Sequence, residues 1–161
     1  MHRKEVLPRC HNHIHLSSSS LFVHLIFSTK YREPLIKPEW KDRLYGYIGG
    51  ILRDQHHTLI AAGGMEDHIH LQALITREAA LKDILRLIKT NSSKWVYDEL
   101  HQKFEWQRGY CAISVSPSAT HSVERYIHNQ ESHHRKQKYE DEVVGILDAC
   151  GIEYDLRWLF E

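Results

Sequence analysis

Thr58-Leu59-Ile60-Ala61-Ala62-Gly63-Gly64-Met65-Glu66-Asp67-His68-Ile69-His70-Leu71-Gln72-Ala73-Leu74-Ile75 reads as two strands folded back on each other. Thr58 to Met65 is an apolar run that gives way to glycine, and His68 to Ile75 alternates in the period of two expected of a second strand, so the pair predicts a hairpin. Successive side chains of a strand point to opposite faces, which puts His68 and His70 side by side and turns Ile69 into the core. Two adjacent imidazoles suit a metal, although a His-x-His on a strand is by itself also an ordinary surface or core pair. His13-Ile14-His15 has the same spelling, but it runs into Ser17-Ser18-Ser19-Ser20, outside any expected element.

Working outward, Leu21 to Thr29 is rich in β-branched and aromatic residues and predicts a strand ahead of the hairpin. Between them, Pro38 precedes Trp40, Leu44, Tyr47, Ile48, Ile51 and Leu52 at helical spacing, predicting a helix from Glu39 to about His56. Beyond the hairpin, Leu81 to Val96 restores the helical period, and Trp106 to Val115 supplies a fourth strand closed by Ser116-Pro117-Ser118. Ala119 to about Lys136 then reads as a helix and residues 140–150 as a shorter one. The order β-α-β-β-α-β-α predicts an α+β fold: a ferredoxin-like split β-α-β antiparallel sheet, helices on one face and a C-terminal tyrosine-bearing helix.

With 161 residues, 42% hydrophobic and 26% charged, the chain is expected to be one domain that buries roughly two thirds of its unfolded surface without staples. Residues 1–20 are expected to be a flexible N-terminal extension, or an overlong start, and residues 21–161 a single domain. No apolar run approaches the roughly 18 residues of a membrane span, and a cytoplasmic, nucleoid-associated protein is expected. The three cysteines Cys10, Cys111 and Cys150 show no CxxC spacing, so no thiolate zinc site is indicated. The 21 basic and 21 acidic side chains cancel, which looks unlike a protein that binds polyanions. The cancellation is uneven. Residues 1–138 carry 20 basic against 14 acidic side chains, and residues 139–161 one basic against seven acidic. The acidic run Glu140-Asp141-Glu142 reads as a solvated helix face, with no expected catalytic residue in the acidic segment.

Tyr126-Ile127-His128-Asn129-Gln130 places a tyrosine and an amide at i and i+4, one face of a helix. That pattern fits a core aromatic of an amphipathic helix, and also a nucleophile beside a metal ligand. Together with the His pair it resembles a known family. The chain is similar to the single-tyrosine transposases of the HUH superfamily, which move bacterial insertion sequences as single-stranded DNA, and to their domesticated relatives associated with repetitive palindromes. HUH denotes His, a bulky hydrophobe, His, as in His68-Ile69-His70. The likeness extends over Phe22 to Arg32, Asp67, Ile88 to Lys94, Trp106 to Tyr110 and the helix Val123 to His134.

The resemblance implies that His68 and His70 hold Mg²⁺ or Mn²⁺ with Gln130 as third protein ligand. It implies that Tyr126 attacks a phosphodiester of hairpin-bearing single-stranded DNA, leaving a 5′-phosphotyrosine and a free 3′-hydroxyl. The residue types suit that chemistry. A phenol is a better leaving group than an alkoxide, so the linkage can be reversed for rejoining, and a cation held by neutral ligands keeps its full charge for the phosphate. Lys30, Arg32, Arg86, Lys89, Lys94, Arg125, His133, His134, Arg135 and Lys136 are candidates for tracking the DNA backbone. Trp95, Trp106 and Tyr110 are candidates for base stacking, with core packing the plainer reading. The resemblance also implies a homodimer in which the tyrosine helix serves its own or its partner's His pair. Two other readings stay open: a domesticated palindrome-binding protein, and a hydrolase using water in place of Tyr126.

Overall fold

The computed structural model describes residues 19–77, 79–134 and 138–155. The expected extension, except Ser19 and Ser20, lies outside the described residues, and so does the His13-Ile14-His15 triplet. The same holds for Arg135, Lys136 and the side chain of His133.

Four strands, β1 (Leu21–Ser28), β2 (Thr58–Gly64), β3 (His68–Ile75) and β4 (Cys111–Val115), form one sheet in the order β2-β3-β1-β4. Every neighbouring pair is antiparallel, the split arrangement that the sequence order predicts. Register decides which residues share a face. Leu25 pairs with Leu71 and Phe27 with Ile69. That face carries the main core, closed by α1 (Lys41–Asp54) through Leu44, Ile48 and Leu52 and by α2 (Leu81–Leu100) through Ile84, Leu85 and Ile88.

The opposite face carries His24, Ile26, His68, His70 and Gln72, since Ile26 pairs with His70 and His24 with Gln72. Three C-terminal helices lie on it: α3 (Thr120–His128), α4 (Gln130–His134) and α5 (Tyr139–Ala149). Val123 and Ala119 pack against the cluster of Phe22, Leu74 and Val115. Tyr139, Val143 and Leu147 of α5 cover Ile26 and Cys111. The two helical layers thus enclose the sheet, and the histidine pair lies between the sheet and the second layer.

Two elements differ from the sequence expectation. The fourth strand is shorter than Trp106 to Val115, because the segment before Cys111 pairs with the chain beyond β1 at an isolated bridge between Trp106 and Thr29 and not along a continuous ladder. The helix expected from Ala119 to Lys136 breaks at Asn129, whose N–H donates to the carbonyls of Arg125 (3.1 Å) and Tyr126 (3.2 Å). Gln130 therefore opens α4 and does not continue α3.

Close approach of α3 to the sheet depends on Gly63. A Cβ there would stand 2.2 Å from the carbonyl oxygen of Ile127 and 3.0 Å from its carbonyl carbon. Backbone cannot swing aside as a flexible side chain can. Gly63→Ala is expected to destabilise the protein by about 2–3 kcal/mol, lowering the melting temperature by at least about 5 °C. Thermal unfolding followed by circular dichroism measures it.

Candidate active site

Strand β3 delivers His68 and His70 to the face beneath the C-terminal helices, and both are buried. The Nδ1 of His68 lies 2.7 Å from Oδ1 of Asp67. The Nδ1 of His70 lies 3.0 Å from Nε2 of His24 on β1. Each ring is therefore anchored through one nitrogen, with the other turned inward. Among the described residues, Nε2 of His68, Nε2 of His70 and Oε1 of Gln130 are buried without a hydrogen-bond partner. Orphaned buried polar atoms are costly and rare. Here all three belong to residues that surround one carboxylate, that of Glu142, and all three are donors of the kind a divalent cation takes.

The acidic segment closes that space, against expectation. Glu142 of α5 is 5% exposed, not on a solvated face. Its carboxylate accepts hydrogen bonds from the Tyr126 hydroxyl, from Nε2 of Gln130 (3.0 Å) and from Nε2 of His134 (2.9 Å). Its Oε2 lies 3.6 Å from Nε2 of His70. Ligand atoms of His68, His70 and Glu142 all fall within 4.8 Å of one another, as a metal-binding group requires. Burial alone would raise the carboxyl's pKa, but the hydrogen bond from His134, the neighbouring His70 ring and the hydrogen bond from Tyr126 outweigh it and hold Glu142 well below the usual carboxylate range. Burial pulls His70 the other way, toward its neutral, ligating form.

Tyr126 reaches its own chain's histidines. Its ring stands edge-on to His70 at 5.9 Å and to His24 at 6.1 Å between centroids. Burial, followed by the Glu142 carboxylate as hydrogen-bond partner and as charge, pushes its phenol well above the ordinary tyrosine value. The neutral, protonated phenol is thus the favoured form in this environment. Tyr126 and Gln130 meet through the same Oε1 of Glu142 although the helix between them is broken.

Arg32 anchors the periphery. Its Nη2 lies 2.6 Å from Oδ2 of Asp67, it pairs with Glu140 of α5, and its guanidinium covers the Tyr139 ring at 4.8 Å. Burial would raise Asp67, but His68 and Arg32 outweigh it and draw the carboxyl down to about 2. Arg32 and Tyr31 have φ of 55°, a left-handed backbone that costs non-glycine residues about 1 kcal/mol or more. Amide N–H groups tie the neighbouring loop down: Thr29 donates to the Asp67 carbonyl and Ile36 to that of Glu66, both at 2.8 Å. Beside this corner opens a cleft of about 580 Å³ lined by Arg32, Ile36, Lys41, Met65, Asp67 and His134, among others.

The expected DNA-tracking cations divide. Lys94 and Arg125 are exposed, and Arg86 is exposed beside Asp83. Lys30 pairs with Glu105. His134 and Arg32 belong to the site. Lys89 is a correction: its ammonium donates to the carbonyls of Gln107 (2.9 Å), Arg108 (3.2 Å) and Gly109 (2.7 Å). A lysine has three donors, so none remains for phosphate, and burial lowers its pKa to about 8. Among the aromatic candidates, Trp106 is a core residue whose indole N–H donates to Ser92 at 2.9 Å, while Tyr110 is exposed. Sequence reasoning missed Glu142 and His24 as site residues. For His24 a signal existed, a histidine two residues from Ile26 on an otherwise apolar strand; for Glu142 none did.

Among the described residues no helix is long and apolar enough to cross a membrane. Comparison with known proteins agrees with the geometry. The ISDra2 transposase TnpA of Deinococcus radiodurans is 29% identical over 121 residues, covering 71% of this chain and 84% of that protein. A crystal structure of a candidate transposase from the same organism superposes with a TM-score of 0.58 at 25% identity, over 74% of this chain and 97% of the other. A REP-associated tyrosine transposase bound to a REP hairpin shares the fold, with a TM-score of 0.57 at 14% identity, over 76% of this chain and 73% of that one. The sequence model of the family described as "Transposase IS200 like" matches residues 17–130, the segment that runs from before β1 through Gln130. With that match over most of its length, the chain belongs to the IS200-like transposases, enzymes that cut and move DNA.

Proposed function

We propose that the protein cleaves and rejoins single-stranded DNA at hairpin-bearing element ends, in a divalent-metal-dependent reaction with Tyr126 as nucleophile. The observation that carries the reading is the convergence of His68 and His70, each with an orphaned Nε2, on the carboxylate of Glu142 that holds the Tyr126 hydroxyl and the Gln130 amide. These residues fit Mg²⁺ or Mn²⁺. The two imidazoles, the Gln130 amide oxygen and the Glu142 carboxylate would hold the ion, with Glu142 supplying the anionic charge. Bound there, the cation polarises a phosphate oxygen and lowers the cost of a phenolate.

The protein's own groups account for the rest. The Tyr126 oxygen attacks phosphorus, a Tyr126–phosphate bond forms, and the bond from phosphorus to the 3′ oxygen breaks. The phenolic proton leaves along its hydrogen bond to Glu142 and is passed on to the departing 3′ oxygen, which leaves as a hydroxyl with the carboxylate restored. Rejoining reverses the steps when another 3′-hydroxyl attacks the phosphotyrosine and returns the proton to Tyr126. Asp67 holds the His68 ring, and α5 covers the site against water. Exposed Lys94, Arg125 and Arg86 are the phosphate-tracking cations of this reading. Assembly as a homodimer belongs to it as well, and the meeting of Tyr126 with its own His70 supports catalysis within one chain.

The test is incubation of the full chain with hairpin-bearing single-stranded DNA and Mn²⁺, expected to give a covalent protein–DNA adduct and a released strand ending in a 3′-hydroxyl. Hairpin binding without any adduct would overturn the reading in favour of a palindrome-binding protein. Glu142→Gln keeps the shape and removes the anionic donor. It is expected to weaken Mn²⁺ binding at least about tenfold, read by titration calorimetry in the absence of DNA.

A further inference from the structure

His24 has no role in the chemistry implied by the His pair, Gln130 and Tyr126. It comes from β1, where register sets it opposite Gln72 on the histidine face, and it is buried. Its ring lies 5.1 Å from that of His70 between centroids, tilted by 35°, with Nε2 of His24 3.0 Å from Nδ1 of His70. On the other ligand, Asp67 takes the equivalent place at Nδ1 of His68. Both rings of the His68–His70 pair are therefore engaged through Nδ1, which leaves Nε2 of each buried without a hydrogen-bond partner, that of His70 3.6 Å from Glu142.

An imidazole that ligates through Nε2 carries its proton on Nδ1, and that N–H requires an acceptor fixed in space. Asp67 serves His68. We propose that His24 is the corresponding positioning residue for His70: by accepting the Nδ1 proton it fixes the ring orientation and tautomer that present Nε2 to a divalent cation. The inference rests on the metal reading above. Accepting that hydrogen bond through Nε2 requires His24 to be neutral, with its own proton on Nδ1. The Tyr126 ring stands edge-on to both members of the pair, so the contact that orients the ligand also shapes the wall beside the nucleophile.

A residue that only filled space could be exchanged for an apolar one of similar volume without consequence for the metal. His24→Leu keeps the volume and removes the acceptor, whereas His24→Gln restores a polar atom near the place of Nε2. Mn²⁺ affinity of the full chain, measured without DNA from the electron paramagnetic resonance signal of the free ion, is expected to fall about 10- to 100-fold in His24→Leu. Most of that loss should return in His24→Gln, with circular dichroism confirming that both metal-free variants are folded at the temperature of the measurement. Equal Mn²⁺ affinity in His24→Leu and the unaltered protein would overturn the assignment, as would a Gln variant no better than Leu. Should His24→Leu fail to fold, His24→Met is compared with His24→Gln on the same criteria. Unaltered protein that binds no Mn²⁺ would overturn the metal reading together with this one. Tight binding by the unaltered protein and by every variant would overturn this one alone.

Discussion

Tyr126→Phe is expected to cut covalent adduct formation by at least about ten-thousand-fold, the scale on which removal of a nucleophile acts. The structure makes this a clean experiment. Phenylalanine keeps the ring that stands against His70 and His24 and loses only the hydroxyl. Glu142 retains its donors from Gln130 and His134, so the buried carboxylate is not orphaned. The expected change in folding stability is within about 1 kcal/mol. Lost adduct from a folded protein would therefore report chemistry and not collapse. The measurement is a denaturing gel of protein with end-labelled DNA, and an adduct of undiminished yield would mean that another nucleophile does the work.

His70→Ala should be nearly as severe, through a different part of the reaction. It removes one of the inward-facing nitrogens of the candidate metal site and the partner of His24 in one step. A cation is worth several kcal/mol to a developing phosphoryl transition state, so adduct formation at fixed Mn²⁺ is expected to fall about a thousandfold. Mn²⁺ binding should pass beyond calorimetric detection. Exposed His121 and His128, which lie near Glu124 on the outer side of α3, supply the control. Their alanine variants should bind Mn²⁺ like the unaltered protein, which separates loss of a specific ligand from a general loss of histidine.

Much of this was legible in the chain. Strand alternation put His68 and His70 on one face, and register then placed that face opposite the main core. The split order of strands and helices predicted the β2-β3-β1-β4 sheet. Spacing brought Tyr126 and Gln130 to one side, although the route differs: the helix breaks at Asn129, and a shared carboxylate rejoins the two. Local periodicity could not show the break, because a helix and a helix with one offset turn carry the same apolar spacing. Nor could charge type show that Lys89 spends its ammonium on three carbonyls of the segment before β4.

The acidic segment is where the two levels part. Sequence by itself determined the element order, the paired imidazoles and the tyrosine, because each depends on spacing within a few residues and spacing is written in the chain. Glu140-Asp141-Glu142 has the composition of a solvated helix face, and nothing nearby in sequence contradicts that. Only the tertiary structure decided that α5 returns across the sheet on Tyr139, Val143 and Leu147, burying Glu142 among groups from β3, α3 and α4. A buried carboxylate is stable only where several donors meet it. Those donors, on Tyr126, Gln130 and His134, and the His70 ring beside them, seventy-two positions away along the chain, are brought to Glu142 only by the packing of the fold.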